Sequence, residues 1–410
     1  MNTKMSLFLK IIVLTWMISG LLGFSLAFGQ EMPAPGTTID KINYKKYSHL
    51  FPEEFLPAFE DGWGLIPPVH MKVVPSKPIA IPKEYLALSA KNKNKYGLDA
   101  QGNLTGGYNR EGLPFPDLQR NDKDFVTKFM WNFDCRYVFD ENIDHAKGNS
   151  FEKRKGEDLR WTKFQLIFCY FKNRLVVSPK PDLPNPQGIY KVSLVHFLYP
   201  DSIKNTMNMF YRYVDPNKPD DSYLYLPSMR RVIRAEAGQR STPSMGNIAA
   251  MDDVWGFDGR IPEFTYTLVR EQKVLGITDN NFHPTSATWK KNDLPFPYDN
   301  YEIRDTYVID IKPKDPKYPQ SKKRIWVDKE DGSTIYYIVA WDRAGKVWKT
   351  WMQPFMRHAL LGSKYPILDG AFGIDVQFGL ATYYSADITI NDQKYTYSDF
   401  TPASLLKKGR

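Results

Sequence analysis

The amino-acid sequence predicts a mainly β protein of the α+β class, built on one strongly curved antiparallel sheet. From about residue 160 onward, segments rich in β-branched and aromatic residues alternate with clusters of Pro, Gly, Asp and Asn, as is typical of strands joined by turns. The connections 328–332 and 342–345 are short enough for hairpins, which makes the pairing antiparallel. About ten strands form this meander, and so many strands curl or close rather than stay flat.

Residues 1–29 have the features of a secretory signal peptide. A basic start leads into an apolar run over 11–28, and Ala27 and Gly29 have the small-residue spacing of a cleavage site. An uncleaved membrane anchor is the alternative, because the apolar run approaches the length that spans a bilayer. We expect cleavage before Gln30 and export of the mature chain.

Composition narrows the choice of partners. The formal charge of +9 comes from Lys and Arg scattered among acids, which favours an ordinary solvated surface and no nucleic-acid partner. Cys135 and Cys169 both lie in aromatic, strand-like sequence. Export permits one disulfide between them, and two buried thiols are equally compatible with the sequence. Neither cysteine has the spacing of a redox pair or a zinc cluster.

Residues 30–118 are expected to be an extended, proline-rich wrapping segment that forms one globular unit with the sheet region, 119–410. The segment holds eleven of the thirty prolines, and proline fixes φ and removes a backbone donor. Its best helix candidate is 82–96, with Pro near the start and Gly just past the end.

A second helix is predicted to start at Asn121 or Asp122. Phe125, Phe129 and Phe133 recur there at four-residue spacing, which indicates one apolar face. Such a stripe favours core packing over ligand contact. The predicted strands follow this helix at 161–178, 188–199, 206–215, 222–235, 262–275, 301–312, 322–329, 333–342, 345–353 and 374–389.

The predicted strand 222–235 carries three arginines, Arg230, Arg231 and Arg234. Side chains alternate along a strand, so Arg231 would share a face with Met229 and Ile233. At least one arginine is then expected to lie against apolar surface. A buried charge needs an acceptor.

An acidic-aromatic turn follows that strand and supplies the expected acceptors, Asp252, Asp253 and Asp258. Two interpretations of the arginines remain open. They are solvated or only hold the loop, since exposed ion pairs are common and weak. Alternatively, they line the mouth of a site for an anionic or polar head group.

Motifs for catalysis are absent from the sequence. The six histidines are far apart, and no zinc-protease, nucleophile-elbow, P-loop or dinucleotide motif occurs. The sequence therefore predicts no cofactor, no metal site and no enzyme activity. Two hypotheses remain: a carrier whose concave apolar face shelters a lipid, and an envelope carbohydrate-binding protein or glycan hydrolase, because a pair of catalytic acids leaves little trace in a sequence.

Cargo contact is predicted for two groups of residues. The arginines above would lie near the rim, and large aromatic side chains would form the cavity or its rim, with ordinary core packing as the alternative for each. The aromatic candidates are Trp255, Tyr266, Trp341, Trp348, Trp351 and Tyr383.

Three stretches carry a resemblance to a known family. They are GLPFP at 112–116, YLPSMRRVIRA at 225–235 with its DDVWGFDG turn, and the long run YVIDIKPKDPKYPQSKKRIWVDKEDGSTIYYIVAWDRAGKVWK. Together they resemble the DUF1329 family of exported bacterial proteins over nearly the whole mature chain.

The resemblance implies an architecture similar to that of the periplasmic lipoprotein carriers of the LolA and LolB type, an unclosed antiparallel barrel with helices over its concave face. It also implies a periplasmic or outer-membrane-associated carrier of lipid or acylated cargo, with an exporter of the resistance-nodulation-division (RND) type and an outer-membrane acceptor as partners. The family offers no settled catalytic residues to assign to this chain.

Overall fold

The computed structural model describes residues 30–107, 111–144, 148–235, 240–243, 247–282, 294, 296–385 and 388–409. Ala34–Arg410 forms one compact unit. The predicted signal peptide, 1–29, lies outside the described residues, as do His145 and His283. None of the helices in the described ranges is both long and apolar enough to cross a membrane.

Strands dominate the chain. They are β1 (Thr38–Ile39), β2 (Met71–Lys72), β3 (Gly97–Leu98), β4 (Leu104–Thr105), β5 (Glu141–Asp144), β6 (Gly148–Arg154), β7 (Arg160–Tyr170), β8 (Ile189–Tyr199), β9 (Met207–Tyr213), β10 (Asp221–Leu226), β11 (Arg231–Ala235), β12 (Phe264–Gly276), β13 (Glu302–Pro313), β14 (Lys322–Asp328), β15 (Ile335–Trp341), β16 (Val347–Met352), β17 (Phe355–Leu360), β18 (Ser363–Leu368), β19 (Gly370–Asp375), β20 (Leu380–Ser385) and β21 (Ile388–Ile390). The α-helices are α1 (Pro57–Glu60), α2 (Lys83–Ala90), α3 (Phe125–Cys135) and α4 (Pro402–Lys408). Short 3₁₀ helices cover Tyr44–Leu50, Glu53–Phe55, Gly62–Gly64, Met251–Gly256, Ile261–Glu263 and Tyr397–Phe400.

One large antiparallel sheet forms the centre of the molecule. Its strand order is β11-β10-β9-β8-β7-β6-β20-β19-β16-β15-β14-β13-β12; off this path, β5 pairs with β7 and β21 pairs with β5. Two meanders, β6–β11 and β12–β16, are joined through β19 and β20. The two edge strands, β11 and β12, are consecutive in the chain but are not paired with each other within the described residues. The predicted fold class, a curved and unclosed antiparallel sheet, is confirmed, but the described sheet has fifteen strands where about ten were predicted.

Three predicted strands are wrong in detail. The segment 161–178 is a strand only as far as Tyr170. The segment 222–235 is a hairpin, because Pro227 begins a turn in which Arg230 has a φ of 50°. The segment 374–389 includes a turn at 376–379, where the Asp375 carboxylate accepts hydrogen bonds from the backbone N–H groups of Gln377 and Phe378. Strands β5, β6, β17 and β18 lie outside the predicted segments. The hairpins at 328–332 and 342–345 are confirmed as the β14–β15 and β15–β16 connections.

Other segments of the chain pack against both faces of the sheet, and both faces therefore carry buried apolar side chains. On the outer face, residues 39–73 pack against β12–β16, β19 and β20, and Phe400 and Leu405 near the C-terminus pack against β7–β10. On the inner face, α3 packs against β13–β15. Its stripe of Phe125, Phe129 and Phe133 is buried as the sequence predicts. Helix α2 is shorter than predicted, since its regular turns end at Ala90.

The two cysteines are present as buried thiols. Cys169 lies on the outer face of β7, in the core that Phe400 and Leu405 complete. Burial raises the pKa of its thiol above the usual range. Of the two alternatives left by the sequence, the structure has the pair of thiols.

Candidate functional site

A cavity of about 170 Å³ lies on the inner face, between the two halves of the sheet. Strands β7, β8 and β9 form one wall, and β16, β19, β20 and β21 contribute to the other. Most of the lining is apolar, with a few amide and carboxylate groups. The lining includes Phe164, Leu166, Phe168, Val195, Phe197, Phe210, Ala249, Met251, Val254, Trp255, Trp351, Leu368, Ala371, Tyr384 and Ile388, together with Asn142, Asn208, Asn247, Gln353 and Asp369.

Residues 247–258, here called the inner loop, close this cavity from the inside. The loop contains the 3₁₀ helix Met251–Gly256 and contributes Ala249, Met251 and Trp255 to the lining. Gly256 has a φ of 84°, and a Cβ there would lie 2.8 Å from Ile335. Only glycine permits this approach, so the loop lies directly on the sheet.

A buried network of charges holds the inner loop to β8 and β9. The Asp258 carboxylate lies 2.5 Å from Lys191 Nζ and 2.6 Å from an Arg240 guanidinium nitrogen. Arg212 donates to the Asp258 backbone oxygen at 2.6 Å and pairs with Asp220 at 3.0 Å. All five side chains are almost fully buried. The first half of the sheet is therefore fixed to the end of the loop.

The second half of the sheet holds the start of the same loop. Lys323 on β14 pairs with Asp253 at 2.7 Å, and Lys349 on β16 donates to the Ile248 backbone oxygen at 2.6 Å. Arg240 pairs with Asp252 at 3.1 Å. The inner loop thus bridges both halves across the open side of the curved sheet.

Electrostatics keep this network ionised at neutral pH. Burial lowers the pKa of Lys191 to about 8, against the opposing effect of Asp258. Burial alone would raise the pKa of Asp258, but Lys191, Arg212 and Arg240 together lower it below its usual value. Each charge is thus stabilised by its partners and would be costly without them.

The three arginines that the sequence singles out are not part of this network. Arg230, Arg231 and Arg234 are all exposed, and Arg234 pairs with Asp221 at 2.5 Å on the outside of the hairpin. Met229 is itself 52% exposed. The expectation of an arginine buried against apolar surface is therefore wrong, because the turn at 227–230 ends the strand on which it depended.

The buried cations that hold the inner loop, through its acids or through a backbone oxygen, were not predicted from the sequence. They are Lys191, Arg212, Arg240, Lys323 and Lys349. Three of them, Lys191, Arg212 and Lys349, are single cations within otherwise apolar strands, such as the lysine in IYKVSLV. A lone cation in such a run indicates a paired buried charge, because an unpaired one would cost too much.

Two of the six predicted aromatic residues line the cavity. Trp255 packs between Phe139 and Phe168, with ring centroids 5.7 Å apart in each case. Trp351 stacks on Tyr384 at 5.9 Å. These contacts place one indole on the loop and one on the sheet, on two sides of the same space.

The other four predicted aromatic residues lie away from this cavity. Tyr266 belongs to the inner core near α3 and donates to the Ile261 backbone oxygen at 3.0 Å. Tyr383 is buried in the outer core. Trp341 lies under Lys322, and Trp348 donates to Asp375 at 2.8 Å.

A small polar cluster adjoins the cavity on β6 and β20. Glu152 is almost fully buried, 3.4 Å from Ser150 and 3.1 Å from an Arg160 nitrogen. Ser150 in turn lies 3.4 Å from Asn247 of the inner loop. Burial raises the pKa of Glu152 to about 7, although Arg160 opposes the shift. The carboxyl group therefore titrates near neutral pH.

Replacement of Glu152 by Gln should remove a pH-dependent destabilisation. The folded-state pKa of Glu152 lies above its unfolded value, so the wild type loses stability as pH rises from about 4.5 to about 7. The difference in free energy of unfolding between E152Q and wild type should therefore increase by up to about 3 kcal/mol, in favour of E152Q, from about pH 5 to about pH 8. Urea denaturation at both pH values measures it. E157Q, on an exposed turn, is the control, and an equal gain there would contradict the assignment.

Comparison with known proteins identifies the family. The model of the DUF1329 family, whose members have unknown function, matches residues 38–406. The chain belongs to the DUF1329 family. The resemblance inferred from the sequence is confirmed. No functionally curated protein matches the chain.

Solved structures similar to this DUF1329 chain are distant from it. One from Vibrio parahaemolyticus, described as an outer membrane lipoprotein-sorting protein domain, is 19% identical with a TM-score of 0.46, over 65% of this chain and 91% of that one. A DUF1329 family protein from Desulfovibrio piger is 16% identical with a TM-score of 0.46, over 65% and 92%. A LolA superfamily protein from Nitrosomonas europaea is 14% identical with a TM-score of 0.40, over 65% and 92%.

Carboxylates at the cavity of the DUF1329 chain are already engaged. Asp253 pairs with Lys323, and Asp369 accepts a hydrogen bond from Asn280 at 2.5 Å. Within the described ranges, no three His, Cys, Asp or Glu side chains come together in a group that could hold a metal ion. What the cavity offers a ligand is apolar surface with a few amide groups.

Proposed function

We propose that this protein is a carrier, without enzyme activity, that shelters the apolar part of a lipid or acylated molecule in the cavity between the two halves of its sheet. The cavity itself carries the proposal. It is closed on one side by the inner loop, it is lined mainly by aliphatic and aromatic side chains, and its two carboxylates are already engaged.

The size of the cavity limits what it holds. At about 170 Å³ it is smaller than the roughly 300–1,000 Å³ of typical ligand pockets. A single acyl segment or a small ring system fits this space, and the remainder of the cargo stays outside. Since the charge network holds the inner loop in place, a larger apolar cargo would have to displace that loop.

Burial of apolar surface would supply the affinity. Each Å² of apolar area removed from water contributes about 25 cal/mol, with no requirement for a particular chemical group. Asn208 is a polar but uncharged residue of the cavity wall, and its side-chain oxygen accepts a hydrogen bond from the Ser222 hydroxyl at 3.3 Å. Such a site binds by shape and apolarity, which suits a carrier that has to release its cargo.

Native co-purification tests the carrier proposal. The exported protein is purified without detergent and extracted with organic solvent, and the extract is analysed by mass spectrometry. One acylated or polycyclic lipid per protein is expected. A protein without lipid, which also fails to bind an apolar fluorescent probe, would overturn the proposal.

The cellular setting is part of the same proposal. A periplasmic protein would receive cargo from an RND-type exporter and deliver it to an acceptor in the outer membrane, as the family resemblance implies. Removal of the exporter should leave the purified protein depleted of the extracted lipid. Unchanged lipid content in that strain would exclude the exporter as the source.

A further inference from the structure

Five neighbouring turns at one end of the large sheet are here called the turn rim; the β13–β14 turn, 314–321, lies at the same end and is not included in it. They belong to neighbouring hairpins in the strand order, so successive turns are about 10 Å apart. The pairing register places them at the same end, because Tyr225 pairs with Met207, Lys163 with Tyr199, Leu380 with Arg154, and Lys349 with Asp375. The rim comprises residues 153–158, 199–206, 227–231, 342–346 and 376–379.

Large apolar side chains project from this rim into solvent. Phe378 is 69% exposed, and Met229, Tyr199 and Val376 are each more than a third exposed. Phe378 is held at the tip of the β19–β20 turn, since Asp375 accepts the backbone N–H groups of Gln377 and Phe378. A rigid turn that presents Phe to water has no benefit for the stability of the fold and indicates a contact surface.

Positive charge accompanies these apolar tips. The rim carries eight basic residues and four acidic ones. The basic residues are Lys153, Arg154, Lys155, Lys204, Arg230, Arg231, Arg343 and Lys346. Among the acids, Glu157 faces Arg154 at 3.7 Å, and Asp342 accepts from Gln377 at 2.9 Å. The rim therefore has an excess of exposed cations around its apolar tips.

We propose that the turn rim docks on the surface of an anionic lipid bilayer. Apolar tips among Lys and Arg are the combination that binds the interface, because the aromatic and aliphatic groups enter the headgroup boundary while the cations remain with the lipid phosphates. Arg230 and Arg231, which have no role in the buried network, belong to this surface. The proposal concerns the rim alone and does not depend on cargo in the cavity.

Vesicle flotation tests the docking surface. Exported protein whose intact mass shows loss of residues 1–29 is used, since Ala34–Arg410 forms the compact unit and an apolar N-terminal segment would itself bind lipid. Vesicles contain phosphatidylcholine with or without phosphatidylglycerol. Binding is expected only with phosphatidylglycerol and should weaken with added salt. F378S should reduce the affinity for these vesicles about tenfold. R230Q/R231Q should reduce both the affinity for the vesicles and the dependence of that affinity on salt.

Matched variants at other sites serve as controls. I42S alters a residue that is 92% exposed and lies just after β1. Strand β1 pairs with β2, and Val73, which follows β2, bridges to Tyr301 at the end of the sheet opposite the turn rim. K83Q/K91Q removes the same charge from exposed positions of α2 and its end. Both should bind vesicles like wild type. Probe binding in the cavity, measured on the same samples, should be unchanged in every variant.

Three results would overturn the proposal. The wild type fails to bind anionic vesicles, or F378S and I42S bind them equally, or F378S keeps vesicle binding and instead loses binding to an exported partner protein. The last result would assign the rim to a protein. None of these results bears on whether the cavity holds lipid.

Discussion

Replacement of Asp258 by Ala is expected to lower the free energy of unfolding by about 3–5 kcal/mol. The Asp258 carboxylate lies 2.5 Å from Lys191 and 2.6 Å from Arg240, and all three side chains are buried. Its removal leaves three cations, Lys191, Arg212 and Arg240, without this carboxylate in a water-poor interior. The loss of such a partner costs much more than an exposed ion pair is worth. Urea denaturation at neutral pH measures the change.

Arg234→Ala provides the matched control. Arg234 also forms an ion pair, with Asp221 at 2.5 Å, but its side chain is 70% exposed. Water replaces the lost interaction there, so no measurable change in stability is expected. Similar losses in both variants would mean that burial does not determine the strength of these pairs, and the role assigned to the inner-loop network would be wrong.

The contrast between these two sites shows where sequence reasoning works and where it stops. The acids Asp252, Asp253 and Asp258 are predicted from the sequence as partners of a buried cation, and they do pair with buried cations. The arginines singled out by the sequence, Arg230, Arg231 and Arg234, are not the partners, because Arg230 sits in a turn that the strand pattern does not reveal. Arg240, which follows that hairpin, is one of the partners. Pairing across a sheet depends on long-range register, which local alternation does not determine.

The fold class follows from the sequence more directly than the site does. Repeated strand segments and two short hairpins predict a curved antiparallel meander, and the structure has one. The turn at 376–379 lacks the usual Gly-Asn or Pro signal at its start and depends instead on Asp375 as an acceptor. For this reason the sequence pattern predicts one strand over 374–389.

Aromatic content alone does not predict which residues reach the cavity. Residues 39–73 cover one face of the sheet, while α3 and the inner loop cover the other, so both faces are apolar. Trp351 and Tyr383 look equivalent in the sequence, yet one faces inward and the other outward. Only the pairing of β19 with β20 and β16 fixes which parity of residues faces inward.

Replacement of Ala371 by Trp is expected to abolish binding of an apolar ligand. Ala371 is a small residue of the cavity lining, paired in register with Tyr384. An indole at this position would fill much of a space of about 170 Å³, and the ligand would lose the apolar contacts that supply its affinity. We expect a fall in affinity of at least about tenfold, equivalent to about 1.4 kcal/mol. Titration with an apolar fluorescent probe measures it.

Ala359→Trp separates occupation of the cavity from the mere addition of a tryptophan. Ala359 is exposed on β17, away from the cavity, so this variant should bind the probe like wild type. Circular dichroism should show a folded A371W protein, because the new side chain enters existing space rather than a filled core. A folded A371W that still binds the probe with wild-type affinity would place the ligand elsewhere. Loss of binding in A371W alone would make the space between the two halves of the sheet the binding site.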